Sequence, residues 1–117
     1  MPHESAKVLE DIRDAAQFVL DDTVGETLET FLSNRRFRSS VEHNFAIMGE
    51  AMRRLSDIDP ELAERISGRR QIIAFRNLLI HAYDIVDHAR VWEIVQGSLP
   101  TLKDEVEQLL GEVGGDI

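Results

Sequence analysis

The sequence predicts an all-α fold, an up-and-down bundle of about five helices formed by a single domain over residues 1–117. Apolar residues recur three and four positions apart through most of the chain, which is the spacing of one face of an α-helix. No segment shows the alternation that is typical of a half-buried strand. The chain contains only three Pro and seven Gly in 117 residues, and several of them lie where a helix would end.

The first half of the chain predicts three helices joined by short polar breaks. Their expected extents are Ser5 to Leu20, Thr23 to Leu32, and about Ser39 to Leu55. Thr23 is the expected N-cap of the second helix, because its hydroxyl can accept a hydrogen bond from an unpaired N–H of the first turn. The third helix carries Gly49, which we expect to permit close helix packing, and Glu50, which we expect to pair with a nearby arginine.

The second half predicts a short helix, the helix with the most polar segment, and a long final helix. Asp59 followed by Pro60 is a strong helix start, and that short helix is expected to stop at Gly68. Arg69 begins the next helix. Asp87 is the expected cap of the last helix, whose apolar stripe is typical of bundle packing. Pro100 should bend or divide it, because proline removes a backbone hydrogen bond.

Composition excludes several classes of protein. The chain has no Cys, so disulfides and thiolate metal sites are excluded. The first residues lack the basic start and apolar core of a secretory signal. No apolar run approaches the roughly 18 residues that a membrane span needs. We therefore expect a cytoplasmic protein without a membrane partner.

The charge is distributed unevenly. The net charge is −9, which argues against broad nucleic-acid binding. Residues 35–76, however, carry nine Arg and six acidic residues, and both flanking segments are strongly acidic. Arginine suits phosphate recognition and buried ion pairs. The sequence therefore predicts a local rather than a general affinity for RNA, with DNA not expected.

The segment from Arg76 to Tyr83 places four polar heads among apolar residues. Arg76 offers a permanent cation and a planar fork to a phosphate, and His81 can transfer protons near neutral pH. Asn77 lies one helical turn before His81 and could orient the imidazole or bind the phosphate. This set suits metal-independent cleavage of a phosphodiester by a ribose 2′-hydroxyl. Structural interpretations remain open: an arginine here often pairs with a carboxylate, and the histidine can be a core residue.

The same helix is predicted to be apolar on two sides, which indicates burial on both. Ile72, Phe75, Leu78, Leu79 and Ala82 form the expected core face. Ile73 and Ile80 lie on another side, at angles around the helix axis between those of Arg76 and His81. A second copy of the chain packed on that side would form a two-fold homodimer and bring two polar clusters together. A neighbouring helix of the same chain is the alternative cover.

The Arg-x4-His-x-Tyr spacing over residues 76–83 resembles the signature of HepT-type toxins, a branch of the HEPN helical ribonucleases. Further segments resemble that family in the right order along the chain. They are Leu9-Glu10-Asp11-Ile12, Ile47-Met48-Gly49-Glu50-Ala51, Val91-Trp92-Glu93-Ile94 and Leu99-Pro100-Thr101-Leu102.

The resemblance implies a homodimeric HEPN-like bundle with a metal-independent endoribonuclease site between protomers. It implies Arg76 and His81 as the catalytic pair, with Asn77 in support and with neither metal nor cofactor. Tyr83 matches the tyrosine to which a cognate minimal nucleotidyltransferase antitoxin adds AMP, which silences the toxin. Negative charge and bulk on this phenol would lie where the RNA phosphate must bind.

Two further hypotheses remain open on the sequence. The chain could be a non-catalytic HEPN partner or substrate-binding subunit of a nucleotidyltransferase, which the charge of −9 favours. It could also be a helical adaptor. Trp92 is expected in the core. His3, His43 and His88 show no metal-binding spacing and are expected at the surface.

Overall fold

The computed structural model describes residues 3–114 and confirms the all-α prediction. In that part of the chain there are seven α-helices, one 3-10 turn and no strand. The α-helices are α1 (His3–Thr23), α2 (Leu28–Ser33), α3 (Arg35–Ile58), α4 (Pro60–Glu64), α5 (Arg69–His81), α6 (His88–Gln96) and α7 (Ser98–Gly114), and the 3-10 turn spans Tyr83–Ile85. Five of the helices have nine residues or more. None of the described helices is long and apolar enough to cross a membrane.

Helix α3 is the centre of the bundle. It packs along α1 on one side and along α5 on the other, while α7 packs on α1 and α6 packs on α7. The apolar residues predicted from the third helical stripe, from Val41 to Leu55, are fully buried. Trp92 is buried as predicted, and it packs against Phe31 and Phe37 in an aromatic cluster.

The predicted start of the second helix is wrong. Thr23 does not cap α2. It is the last residue of α1, and its hydroxyl donates to the carbonyl of Val19 at 2.8 Å. Gly25 then adopts a positive φ of 76°, which turns the chain, and Thr27 accepts from the N–H of Thr30 as the actual N-cap. A hydroxyl that is already closing one helix is not available to start the next.

Two other helices begin or end at residues that differ from the predicted ones. Asn34 caps α3 by accepting from the N–H of Phe37 at 3.0 Å, so α3 begins at Arg35, four residues before the expected Ser39. Asp59 caps α4 as predicted, accepting from the N–H of Leu62. That helix ends at Glu64 rather than at Gly68.

The last predicted helix is divided, as expected near Pro100. The break falls at Gly97, between α6 and α7, so that Pro100 lies in the first turn of α7. Proline is tolerated there because the first-turn N–H groups have no partner within the helix. Asp87 caps α6 through the N–H groups of Ala89 and Arg90, as predicted.

The close helix packing predicted at Gly49 is confirmed, because this residue lies where α3 and α5 are in contact. A Cβ atom at this position would overlap the Cβ of Arg76, and it would lie 2.8 Å from the Cγ of Arg76 and 3.0 Å from the carbonyl oxygen of Ile72. Both latter atoms belong to α5, and one is backbone. Any side chain at Gly49 must therefore push the two helices apart.

Replacing Gly49 with alanine should destabilise the protein by about 1–3 kcal/mol, the usual cost of overpacking a well-packed contact. Urea unfolding followed by circular dichroism measures this free energy. Gly111→Ala in α7 is the matched control. No atom lies within 4 Å of its added methyl group, so this variant should be neutral or up to about 1 kcal/mol more stable. Equal stability of the two variants would contradict the close contact.

Candidate active site

The predicted catalytic residues lie on the last two turns of α5 and at the surface. Arg76 is partly buried, whereas Asn77 and His81 are exposed. His81 is the last residue of the helix, and Ala82 leaves the helical conformation with φ −147° and ψ 47°. The segment from Arg76 to His81 therefore presents three polar side chains on one short stretch of a well-packed helix.

Arg76 is held by ion pairing against α3. One guanidinium nitrogen lies 3.0 Å from Oε2 of Glu50, and its Nη1 donates to Oδ1 of Asn77 at 3.1 Å. Only 23% of the Arg76 side chain is exposed. The interpretation that Arg76 pairs with a carboxylate is confirmed, since Glu50 is its partner. The same contacts fix the direction in which the guanidinium points.

Glu50 is shared between two arginines, as expected from its neighbours in the sequence. Arg53 lies 2.6 Å from Oε1 of Glu50, while Arg76 lies on the other oxygen. The hydrogen bond from Arg53, followed by the charges of Arg53 and Arg76, lowers the pKa of the Glu50 carboxyl. Glu50 is therefore an ionised carboxylate that pairs α3 with α5 through Arg76.

The relative positions of Arg76 and His81 have a consequence for the site. Five residues along an α-helix correspond to a rise of about 7.5 Å and a rotation of about 140°. Their Cα–Cβ directions therefore diverge within one chain. Asn77, moreover, directs its amide oxygen to Arg76. The two side chains therefore leave α5 on different flanks.

Part of the apolar flank that was predicted as a dimer surface remains exposed. Ile80 is 51% exposed and Ile47 on α3 is 39% exposed. Ile73, in contrast, is partly buried against the chain's own core. Ala46 lies between the two exposed isoleucines, because it lines a groove with each of them. The exposed patch is therefore shared by α3 and α5, and Ile73 is covered by neighbouring residues of the same chain.

The helical projection of the sequence placed Tyr83 on the same helix as His81, but Tyr83 does not belong to α5. It begins the 3-10 turn that follows His81, and its side chain is 45% exposed. Its hydroxyl is not free. It donates to Oε1 of Glu42 at 2.9 Å. The phenol therefore has an accessible ring and a hydroxyl that is held by α3.

Glu42 is the residue that the sequence analysis missed. Only 4% of it is exposed, and both of its oxygens have partners: Tyr83 on Oε1, and Nδ1 of His88 on Oε2 at 2.6 Å. The prediction that His88 is a surface residue is therefore wrong, since 26% of its side chain is exposed and the ring is bound to a buried carboxylate. Glu42 lies two helical turns before Gly49, on the side of α3 that faces α5. In the sequence, the signal for Glu42 was a carboxylate two helical turns before Gly49, on the same side of the helix.

The environment of Tyr83 changes its acidity. Burial, and then the hydrogen bond to Glu42 and the charge of that carboxylate, raise the pKa of the phenol above its ordinary value of 10.0. The charges of Arg38 and Arg35 act in the opposite direction. Two guanidinium groups are thus close enough to the phenol to influence it. At neutral pH the hydroxyl keeps its proton.

An open groove of about 270 Å³ lies beside Tyr83, between α3 and the end of α5. Arg35, Ser39 and Glu42 line its α3 side, and Leu79, Ile80 and Tyr83 line the other side. The lining combines charged and hydroxyl side chains with the apolar side chains of Ala46, Leu79 and Ile80. In the described part of the chain, no three His, Asp or Glu side chains are placed to hold a metal ion.

The fold and this site define an all-α protein with an arginine and a histidine on the end of one helix. The family model described as "Ribonuclease HepT-like" matches residues 8–109. The chain therefore belongs to the HepT-like ribonuclease family, which confirms the resemblance found in the sequence. No solved structure matches the chain significantly.

Curated relatives cover nearly the whole domain. A protein of Methanocaldococcus jannaschii named "Putative RNase" is 31% identical over 99 residues, which are 85% of this chain and 90% of that protein. A Thermococcus cleftensis protein named "Probable ribonuclease HepT" is 32% identical over 101 residues, which are 86% of this chain and 91% of that protein. A second M. jannaschii protein named "Putative RNase" is 27% identical over 116 residues, which are 98% of this chain and 95% of that protein.

Alkaline titration should report the Tyr83–Glu42 contact directly, because Tyr83 is the only tyrosine in the chain. The phenolate absorbance of the folded protein should appear with a midpoint above pH 10, and Glu42→Gln should lower this midpoint. The unfolded chain ionises near its ordinary pKa. Stability from this contact is therefore present below about pH 10 and is lost as pH rises towards the folded pKa. The same midpoint for folded and urea-unfolded protein would contradict the contact.

Proposed function

We propose that this chain is a metal-independent endoribonuclease and the toxin of a toxin–antitoxin pair. The observation that carries the proposal is the fixed guanidinium of Arg76 on the same short helical segment as the exposed imidazole of His81. Membership of the HepT-like ribonuclease family supports RNA as the substrate. In this proposal the acidic chain binds RNA locally, through this segment of α5.

The chemistry follows from the two side chains. The ribose 2′-hydroxyl attacks the adjacent phosphorus, the bond to the 5′-oxygen breaks, and a 2′,3′-cyclic phosphate remains. His81 takes the proton from the 2′-hydroxyl or gives one to the leaving oxygen. Arg76 stabilises the charge that develops on the phosphate oxygens. Asn77 supports Arg76 by accepting one of its hydrogen bonds.

The active unit in this proposal is a homodimer. Arg76 and His81 diverge around α5 by about 140°, so a cleft between two copies can use both residues more readily than one surface can. The exposed patch formed by Ile47 and Ile80 lies next to them and supports an apolar contact between copies. A two-fold axis through this patch would place both polar clusters along one cleft.

Tyr83 is the proposed control point. A minimal nucleotidyltransferase antitoxin would add AMP to its hydroxyl, two residues after His81. The exposed ring of Tyr83 supports access by such a partner. A phosphodiester on this oxygen cannot donate to Glu42, and it adds negative charge where RNA phosphate would bind. Modification would thereby silence cleavage.

His81→Ala should reduce RNA cleavage by about 10²–10⁴-fold, the usual contribution of a general acid–base. The measurement is the cleavage rate of a labelled RNA in EDTA, with the 3′ ends analysed for cyclic phosphate. His81 is exposed at the end of a helix, so the variant should fold and keep the same oligomeric mass. Arg70→Gln, an exposed arginine on the first turn of α5, is the control and should retain activity.

Two results would contradict the nuclease proposal. Cleavage by His81→Ala at the wild-type rate would remove the histidine from the reaction. A folded wild-type protein that cleaves no RNA would favour the non-catalytic partner of a nucleotidyltransferase. The observation that favours this second function is the pairing of Arg76 with Glu50, which partly neutralises the cation that RNA would need.

Ile80→Asp should convert the dimer to a monomer and reduce RNA cleavage in parallel. A charge at the centre of an apolar contact must be desolvated without a partner, which costs several kcal/mol. Light scattering after size exclusion gives the mass, and the labelled RNA gives the activity. Val24→Asp is the control, because Val24 is 77% exposed in the turn after α1. A monomeric variant with full activity would exclude the composite cleft.

A further inference from the structure

The arrangement around Tyr83 combines three components of a group-transfer site. Tyr83 supplies a hydroxyl oxygen, and that hydroxyl donates a hydrogen bond to Oε1 of Glu42 at 2.9 Å. Arg35 lines the adjoining groove and acts electrostatically on the phenol. None of these contacts is needed by the cleavage chemistry of Arg76 and His81. The groove of about 270 Å³ also has room for part of a nucleotide.

We propose that Glu42 is the general base that activates Tyr83 as a nucleotide acceptor, with Arg35 binding the phosphate of the incoming nucleotide. This inference rests on the proposed modification of Tyr83 and extends it to the residues that perform it. It makes the chain an active participant in its own modification, rather than a passive substrate of the transferase.

The step balances without an additional reagent beyond a nucleoside triphosphate. The Tyr83 oxygen forms a bond to the α-phosphorus while its proton passes to Oε1 of Glu42. The bond from the α-phosphorus to the bridging oxygen breaks, and pyrophosphate leaves with that electron pair. Glu42 is then a neutral carboxyl group, so it does not repel the new phosphodiester.

The need for a base follows from the state of the phenol. Burial and Glu42 itself raise the pKa of Tyr83 above 10.0, so the reactive phenolate is scarce at neutral pH. A carboxylate already bonded to the hydroxyl can remove the proton as the bond to phosphorus forms. The buried His88 contact at 2.6 Å holds the other oxygen of Glu42 and fixes the direction of the carboxylate.

Arg35 is placed to bind the phosphate. It is exposed on the first turn of α3 and lines the groove together with Ser39 and Tyr83. Arg38 also influences the phenol, but its guanidinium donates to the carbonyls of Phe31 and Leu32. Arg35 is therefore the arginine beside the phenol that can turn towards a nucleotide. Arg36, its neighbour, is equally exposed and does not line the groove.

The test uses adenosine 5′-phosphorimidazolide, a reactive nucleotide that needs no transferase. Tyr83 attack releases imidazole and leaves an acid-stable phosphodiester, whereas adducts on lysine or histidine are acid-labile. Serine and threonine hydroxyls also form acid-stable phosphodiesters, so the mass increase of Tyr83→Phe is subtracted as background, and the difference reports the one tyrosine of the chain. We expect Glu42→Gln to react about 10²-fold or more slowly than wild type at pH 7. Glu93→Gln, an exposed glutamate paired only with Arg90 among described residues, should match wild type.

Glu42→Gln is a clean variant because it keeps the shape of the site. Its carbonyl oxygen can accept from Tyr83, and its amide N–H can donate to Nδ1 of neutral His88. A structural role would therefore survive, and only the base is lost. The ratio of the wild-type rate to the variant rate should fall about tenfold per pH unit up to the phenol pKa, because only the variant depends on phenolate and the ionisation of the reagent cancels from the ratio.

Arg35→Gln and Arg36→Gln form the second pair. Arg35→Gln should require a higher nucleotide concentration for half-maximal rate, and Arg36→Gln should not. Equal rates and pH profiles for wild type and Glu42→Gln would overturn the role of Glu42, and equal behaviour of the two arginine variants would overturn that of Arg35. If Glu42→Gln fails to fold, the wild-type rate is divided by that of free N-acetyltyrosine amide with the same reagent, and a ratio that stays constant from pH 7 to pH 9 excludes a base.

A parallel incubation with a minimal nucleotidyltransferase from the same genome and ATP separates this inference from the proposed function. Wild type that reacts with the phosphorimidazolide in a Glu42-dependent way, but is not modified by the transferase, contradicts the antitoxin proposal alone. Wild type modified by the transferase, with Glu42→Gln reacting as fast as wild type with the phosphorimidazolide, contradicts the Glu42 inference alone.

Discussion

The close approach of α3 and α5 at Gly49 is the constraint on which the site depends. The absent side chain allows the α5 backbone at Ile72 and the stem of Arg76 to lie against α3. Arg76 can then reach Glu50, one residue further along α3. Two turns earlier on α3, Glu42 reaches Tyr83, seven residues beyond Arg76. The two helices thus run antiparallel, and the close approach at Gly49 brings Arg76 next to Glu50.

The two contacts divide the polar residues of the site into separate tasks. Glu50 holds the cation that would bind an RNA phosphate, while Glu42 holds the hydroxyl proposed to receive a nucleotide. His81 lies between Arg76 and Tyr83 in sequence and is exposed. Because both anchors are on α3, a displacement of the 3-10 turn at Tyr83 would act on the end of α5 directly. In the proposed function, this proximity along α3 would couple cleavage to its control.

Much of this was predictable from local sequence, because it depends on spacing. The helical stripes identified the core from Val41 to Leu55, Asp59 and Asp87 identified two caps, and Gly49 identified the close packing. The errors arose where tertiary contacts decide. Threonine is a favoured N-cap residue, but the Thr23 hydroxyl bonds to the carbonyl of Val19 in the last turn of α1. Glu42 and His88 lie 46 residues apart and gain their importance only when the chain folds. A single sequence carries no signal for such a pair beyond its helical register.

The buried carboxylate also explains why a tyrosine, and not another hydroxyl residue, suits this position. A serine or threonine after Ala82 would be too short to reach across to α3 while keeping an exposed face. The tyrosine ring spans that gap, so one end bonds Glu42 and much of the ring remains accessible. Removing the hydroxyl would leave a buried charge with one partner fewer, and such loss costs more than the hydrogen bond itself contributes. Fold stability and the proposed acceptor chemistry therefore require the same oxygen atom.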